Sequence, residues 1–170
     1  MTHSGLSRRP TLVSAGGAVA AALVAVVVGG VSATGFAVGL AGTALLVAAL
    51  ARGSRAVVDV GCLLLFVGVV AGGLEGGSVE RTLLATVATV LAWDLGGNAV
   101  DLGDQLGREA DTRRLEVTHA GSSLLVGLAS ATLGYAVYVV AADGQPAGAV
   151  ALLLVAALLV TLGLGASRRR

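Results

Sequence analysis

Asp59, Asp94, Asn98 and His119 are polar residues set in otherwise apolar stretches. Carboxylates and an imidazole at one depth of a bilayer can relay a proton or hold a cation. The competing account is structural. Asp59 follows Arg55 by four residues and can pair with it locally, the arginine reaching towards the interface. Asp94 has no arginine one turn away, so a partner from another helix is expected, and His119 is the candidate.

A second group lies just beyond. Asp101, Asp104, Arg108, Glu109, Arg113 and Arg114 mix both signs of charge, and Leu95, Ala99, Leu102, Leu106 and Ala110 recur at helical spacing beside them. Asp104 with Arg108, and Glu109 with Arg113, place the acid four residues before the base, the favourable order on a helix. The pattern predicts an amphipathic helix over 101–116. It extends a preceding apolar helix and lies at the membrane surface. Its charged residues form a candidate interaction face.

The motifs for bond-making chemistry are incomplete. Asn98-x-x-Asp101-x-x-Asp104 resembles the metal–diphosphate motifs of intramembrane prenyltransferases, but those need wider spacing and a second acidic motif. Ser122 and Ser123 sit near His119 without the Gly-x-Ser-x-Gly elbow of a serine hydrolase. His3 and His119 are too few for a histidine-rich metal site. No enzyme activity, cofactor or metal is expected. The single cysteine, Cys62, lies in an apolar run and reads as a small buried side chain.

The elements that carry these residues follow from composition. The chain has 170 residues, of which 56% are hydrophobic and 12% charged; a soluble domain has roughly 25% charged. The fold class expected is all-α, a polytopic membrane protein forming a single domain over 1–170. The apolar run from Thr11 to Ala51 is 41 residues long. As one helix it would reach roughly 60 Å, about twice the hydrocarbon core, so it must fold back. It also exceeds any signal-peptide core. Six transmembrane helices are predicted, near 11–28, 34–51, 56–74, 82–100, 117–142 and 147–166. Pro146 suits the first turn of the last of these.

Arginine placement sets the orientation. Every basic residue is arginine, and six spans put ten of the eleven on one side, leaving only Arg81 on the other. By the positive-inside rule both termini and the 101–116 stretch are cytoplasmic. Helix three then starts inside, helix four ends inside and helix five starts inside. That brings Asp59, Asp94, Asn98 and His119 to one level.

Lipid is as apolar as leucine, so such helices associate by close backbone approach. Small residues at steps of four provide for it: Gly17, Ala21, Ala25 and Gly29; Gly35 and Gly39; Gly68, Gly72 and Gly76; Ser123, Gly127 and Ala131.

Trp93-Asp94-Leu95-Gly96, the string from Leu102 to Arg114 that contains Gly-Arg-Glu-Ala-Asp-Thr-Arg-Arg, and His119-Ala120-Gly121-Ser122 complete the picture. Together they resemble an uncharacterised family of integral membrane proteins from halophilic archaea. The resemblance covers about a fifth of the chain and carries no known chemistry. It implies an accessory or assembly role.

Two functions fit these readings. One is a multi-pass protein of the cell membrane that docks another membrane or cytoplasmic protein through residues 101–116. The other is a small-solute, ion or proton transporter or channel that uses the buried polar residues. The lipid bilayer is a partner in both, nucleic acid in neither, and the oligomeric state is left open.

Overall fold

A computed structural model describes residues 11–106 and 113–141. The described chain is five α-helices: α1 (Leu12–Gly29), α2 (Ala33–Arg52), α3 (Arg55–Leu74), α4 (Val79–Leu106) and α5 (Arg113–Ala141). All five are long and apolar enough to cross a membrane. The predicted sixth helix, 147–166, lies outside the described residues. By packing, the chain divides into Met1–Tyr135 and Ala136–Arg170; the described part of the second unit is the end of α5.

The turns form where local chemistry allows them. Between α1 and α2, Ser32 caps the new helix, its hydroxyl accepting from the Gly35 amide at 3.0 Å. The α2–α3 connection is tighter. Gly53 takes a left-handed conformation, with φ of 65°, which costs glycine little. Its N–H donates to the Leu50 carbonyl and that of Ser54 to the Ala49 carbonyl, a Schellman ending.

Two helix starts differ from the sequence expectation. Helix four begins at Val79 rather than 82, because the Ser78 hydroxyl accepts from the Arg81 amide and caps the turn. Helix five begins at Arg113 rather than 117. Residues 113–116 therefore open α5 and do not extend α4, which corrects the 101–116 extension. The continuation of α4 reaches Leu106, and 107–112 lie outside the described residues. In both cases a charged first turn resembles a loop or a neighbouring amphipathic segment.

α2 packs most extensively on α3, and α1 on α4. The α2–α3 contact is backbone against backbone. A Cβ on Gly42 would stand 2.7 Å from the Gly61 carbonyl oxygen and 2.6 Å from the Leu65 amide nitrogen. One on Gly35 would stand 2.8 Å from the Gly68 carbonyl oxygen. Only glycine permits this approach, which supplies dispersion contact where lipid offers no hydrophobic drive. Of the small-residue stripes, those on α2 and α3 fulfil the expected role most directly.

The helices alternate in direction. The Thr11 amide donates to the Ala99 carbonyl at 3.2 Å, and Arg55 reaches Asp101. The starts of α1 and α3 thus lie beside the end of α4. At the opposite end Gly29 meets Ala85 and Val69. The buried core comes from α1–α4, with Ala18, Ala22, Leu46, Leu65, Ala92 and Leu95 among its members. Among the described residues α5 adds only Ala120 at its margin.

Candidate functional site

The C-terminal half of α4 holds the polar residues together, but not as one patch. A helix turns about 100° per residue, so neighbours in sequence face different partners. Trp93 and Asp94 illustrate this.

Trp93 faces α3. Its indole N–H donates to Asp59 Oδ1 at 2.6 Å. Asp59 Oδ1 also lies 3.5 Å from Arg55 Nε, the local pair expected from their spacing. Arg55 reaches on to Asp101, with 3.0 Å between Nη1 and Oδ2. Its guanidinium lies directly across Gly97, where any Cβ would collide with it. All three charged side chains are partly exposed. The network therefore ties α3 to α4 with the modest strength of surface ion pairs.

Asp94 faces α5. Ser123 donates its hydroxyl to Asp94 Oδ2 at 2.6 Å. His119 Nε2 lies 2.9 Å from the same oxygen, yet makes no aligned hydrogen bond. The separation suits an ion pair when the ring is protonated, and Ser123 provides the directional bond. His119 is thus beside Asp94 as expected. Ser123, expected only as a packing residue, proves to be its main partner.

Asn98 faces α1. Its Nδ2 is 3.5 Å from Ser14 Oγ, at the outer limit of hydrogen bonding. Ser14 in turn donates both its amide (2.7 Å) and its hydroxyl (2.6 Å) to Glu116 Oε2. Glu116 is only 3% exposed, and Ser14 is buried with it. Ser14 sits in the first turn of α1, where backbone N–H groups have no partner within the helix. Thr11, the residue at the cap position, makes no capping bond. The Glu116 carboxylate from α5 supplies the cap instead, and its charge suits the positive end of the helix.

The four expected residues are therefore shared among three joints: Asp59 between α3 and α4, Asp94 and His119 between α4 and α5, and Asn98 between α4 and α1. Ser14 and Glu116 escaped the sequence reading. The available signal was a carboxylate between Leu115 and Val117, next to apolar sequence. Of the candidate interaction face, Asp101 is committed to Arg55 and Arg114 is exposed. The side chains of Asp104, Arg108, Glu109 and Arg113 lie outside the described ones.

Beside Asp94 a cleft of about 610 Å³ opens between α4 and α5. Its walls are mainly apolar, including Leu83, Val87, Val90 and Val126, with Ser122 and Ser130 as polar points. Gly127 permits the close approach there, since its Cβ would lie 2.9 Å from Val87 Cγ1. Among the described residues no three His, Cys, Asp or Glu side chains gather as a metal site. The geometry can hold α5 against α4 or admit an apolar group.

No curated protein and no solved structure matches the chain. A family model matches residues 8–161. The five apolar helices fit a membrane protein, and the chain belongs to the family of unknown function DUF7519.

Proposed function

We propose that this is a six-span protein of the cell membrane with both termini in the cytoplasm. It serves as an accessory or assembly component and docks a partner protein through the charged segment that joins α4 to α5. One observation carries the reading: the ion pairs of the described residues, Arg55 with Asp59 and Asp101 and His119 with Asp94, gather at one end of the helices, around the C-terminal half of α4. Away from that end the described core is apolar. The buried hydroxyls of Thr43 and Thr89 donate to carbonyls of their own helices, Gly39 and Ala85, and leave no polar path across α1–α4 among the described residues. The arginine count assigns the polar end to the cytoplasm. An origin in halophilic archaea accords with the use of arginine alone as the basic residue.

Reporter fusions test the topology. A fusion after Arg170 and one within 107–112 should report cytoplasm, and tags at Gly77 and Gly144 should be reached from outside. A photocrosslinking residue at Arg108 or Asp104 in native membranes should then yield a discrete adduct with a second protein. Labelling of the C-terminus from outside would overturn the six-span topology. Crosslinks to lipid alone would overturn the docking role.

A second reading, a proton or ion transporter, is favoured by the Asp94–His119 pair beside the cleft. Proteoliposomes should then show a flux that Asp94→Asn abolishes. Impermeable vesicles would remove this reading.

A further inference from the structure

The cleft between α4 and α5 is held at both ends. Ser123 donates to Asp94 at 2.6 Å, and Tyr135 bonds Glu80 in the first turn of α4. The walls run from Leu83 to Asp94 on α4 and from Ser122 to Ala131 on α5. Along α4 that is roughly 16 Å, at 1.5 Å per residue. The volume, about 610 Å³, falls within the range of small-molecule sites, about 300–1,000 Å³.

Asp94 is the one ionisable side chain that lines the cleft; no basic side chain does. Both of its contacts fall on Oδ2, and Oδ1 has no partner among the described residues. Neither contact is a fixed counter-charge. Ser123 is neutral, and an imidazole is a cation only when protonated. A carboxylate beside apolar walls is costly unless a positive charge meets it. The lining decides which kind of cation fits. A metal ion needs several oxygen ligands, and one carboxylate with scattered hydroxyls does not supply them. An anionic amphiphile would be repelled, and a plain hydrocarbon would leave Oδ1 unmet.

We propose that the α4–α5 cleft is a binding site for a lipophilic monocation, an ammonium or phosphonium carrying apolar groups, with Asp94 as its counter-charge. The cationic centre lies beside Oδ1, and the apolar groups lie against Leu83, Val87, Val90 and Val126. Shape and apolar area give the affinity, and the carboxylate gives the choice of sign. Binding at equilibrium requires neither a docked partner protein nor the passage of a proton or ion, so the inference goes beyond both readings above.

Radiolabelled tetraphenylphosphonium tests it, by equilibrium dialysis against the full-length protein in detergent. Binding should be saturable. Unlabelled tetraphenylphosphonium should displace the label, and tetraphenylborate, alike in shape and opposite in charge, should not. Asp94→Asn keeps an oxygen for Ser123 and should melt with the parent, yet weaken binding by about tenfold or more, as loss of a close unit charge does. Ala131→Phe fills the cleft with Asp94 in place and should weaken binding as well. Absence of saturable binding overturns the site, while flux in proteoliposomes still decides the transport reading separately. Equal displacement by tetraphenylborate, or undiminished binding to Asp94→Asn, overturns recognition of the cation. Undiminished binding to Ala131→Phe overturns the cleft as the place. The tetraphenylborate and Ala131→Phe comparisons leave the carboxylate intact, so they decide the matter even where Asp94→Asn fails to fold.

Discussion

The Trp93 indole N–H points at Asp59 across the α3–α4 contact, 2.6 Å from its Oδ1. A hydrogen bond to a carboxylate is worth more than a neutral one, and here the donor packs against the core while the carboxylate is partly exposed. Trp93→Phe keeps most of the ring and removes the donor. It should lower stability by about 1–2 kcal/mol. The same change in an Asp59→Asn background should cost less. Thermal unfolding of the four proteins in detergent checks this, and strict additivity would show that the bond contributes nothing.

Asp94 should tolerate loss of charge better than loss of hydrogen bonding. Asp94→Asn retains an oxygen for Ser123 and should leave expression and thermal stability near those of the parent. Asp94→Leu removes the acceptor and should destabilise by roughly 1–2 kcal/mol, the scale of interhelical hydrogen bonds in membranes. Unfolding in detergent measures both. Loss of a cellular phenotype in Asp94→Asn at unchanged stability would point to an ionic role.

The glycines separate into two kinds. Gly42→Ala drives a Cβ into the Gly61 carbonyl and the Leu65 amide, backbone atoms that cannot move aside. It should cost about 1–3 kcal/mol, as overpacking does. Gly16→Ala and Gly121→Ala meet nothing within 4 Å. These should be neutral or stabilising by up to about 1 kcal/mol, from helix propensity. Parallel melting curves decide the matter; a Gly42→Ala protein as stable as Gly16→Ala would contradict the α2–α3 packing.

Gly97→Ala should expel Arg55 from its place across α4, since the new methyl group occupies the guanidinium site. The Asp101 contact goes with it. An exposed pair contributes about 0–1 kcal/mol, so a loss near 1 kcal/mol is expected. In an Arg55→Ala background the substitution should be neutral or stabilising, because the clashing group is gone and alanine favours the helix. A double-mutant cycle by denaturant unfolding measures the difference.

Much of this arrangement is legible in the sequence for a simple physical reason. An apolar run longer than one crossing must turn, and Gly29 to Ser32 and Arg52 to Arg55 are where turning costs least. Asp59 beside Arg55 and His119 beside Asp94 follow from spacing and depth. Depth, however, says nothing about azimuth. Residues at one level were expected to meet, and Trp93, Asp94 and Asn98 instead face three different helices. Charged first turns were the other obstacle. Ser78 caps its own helix through the Arg81 amide three residues on, whereas Glu116 finds its partner in Ser14, far back along the chain.

The glycine contact between α2 and α3 bears on the order of assembly. These helices are joined by Gly53 and Ser54 alone, so their surfaces meet after the shortest possible loop closure, at little entropic cost. They can pair as soon as both have left the ribosome. α1 has no such neighbour: its main partner is α4, made only after the hairpin. During synthesis α2 and α3 are therefore available to each other before α4 can cover the alanine face of α1, and the Glu116 cap can close only after that.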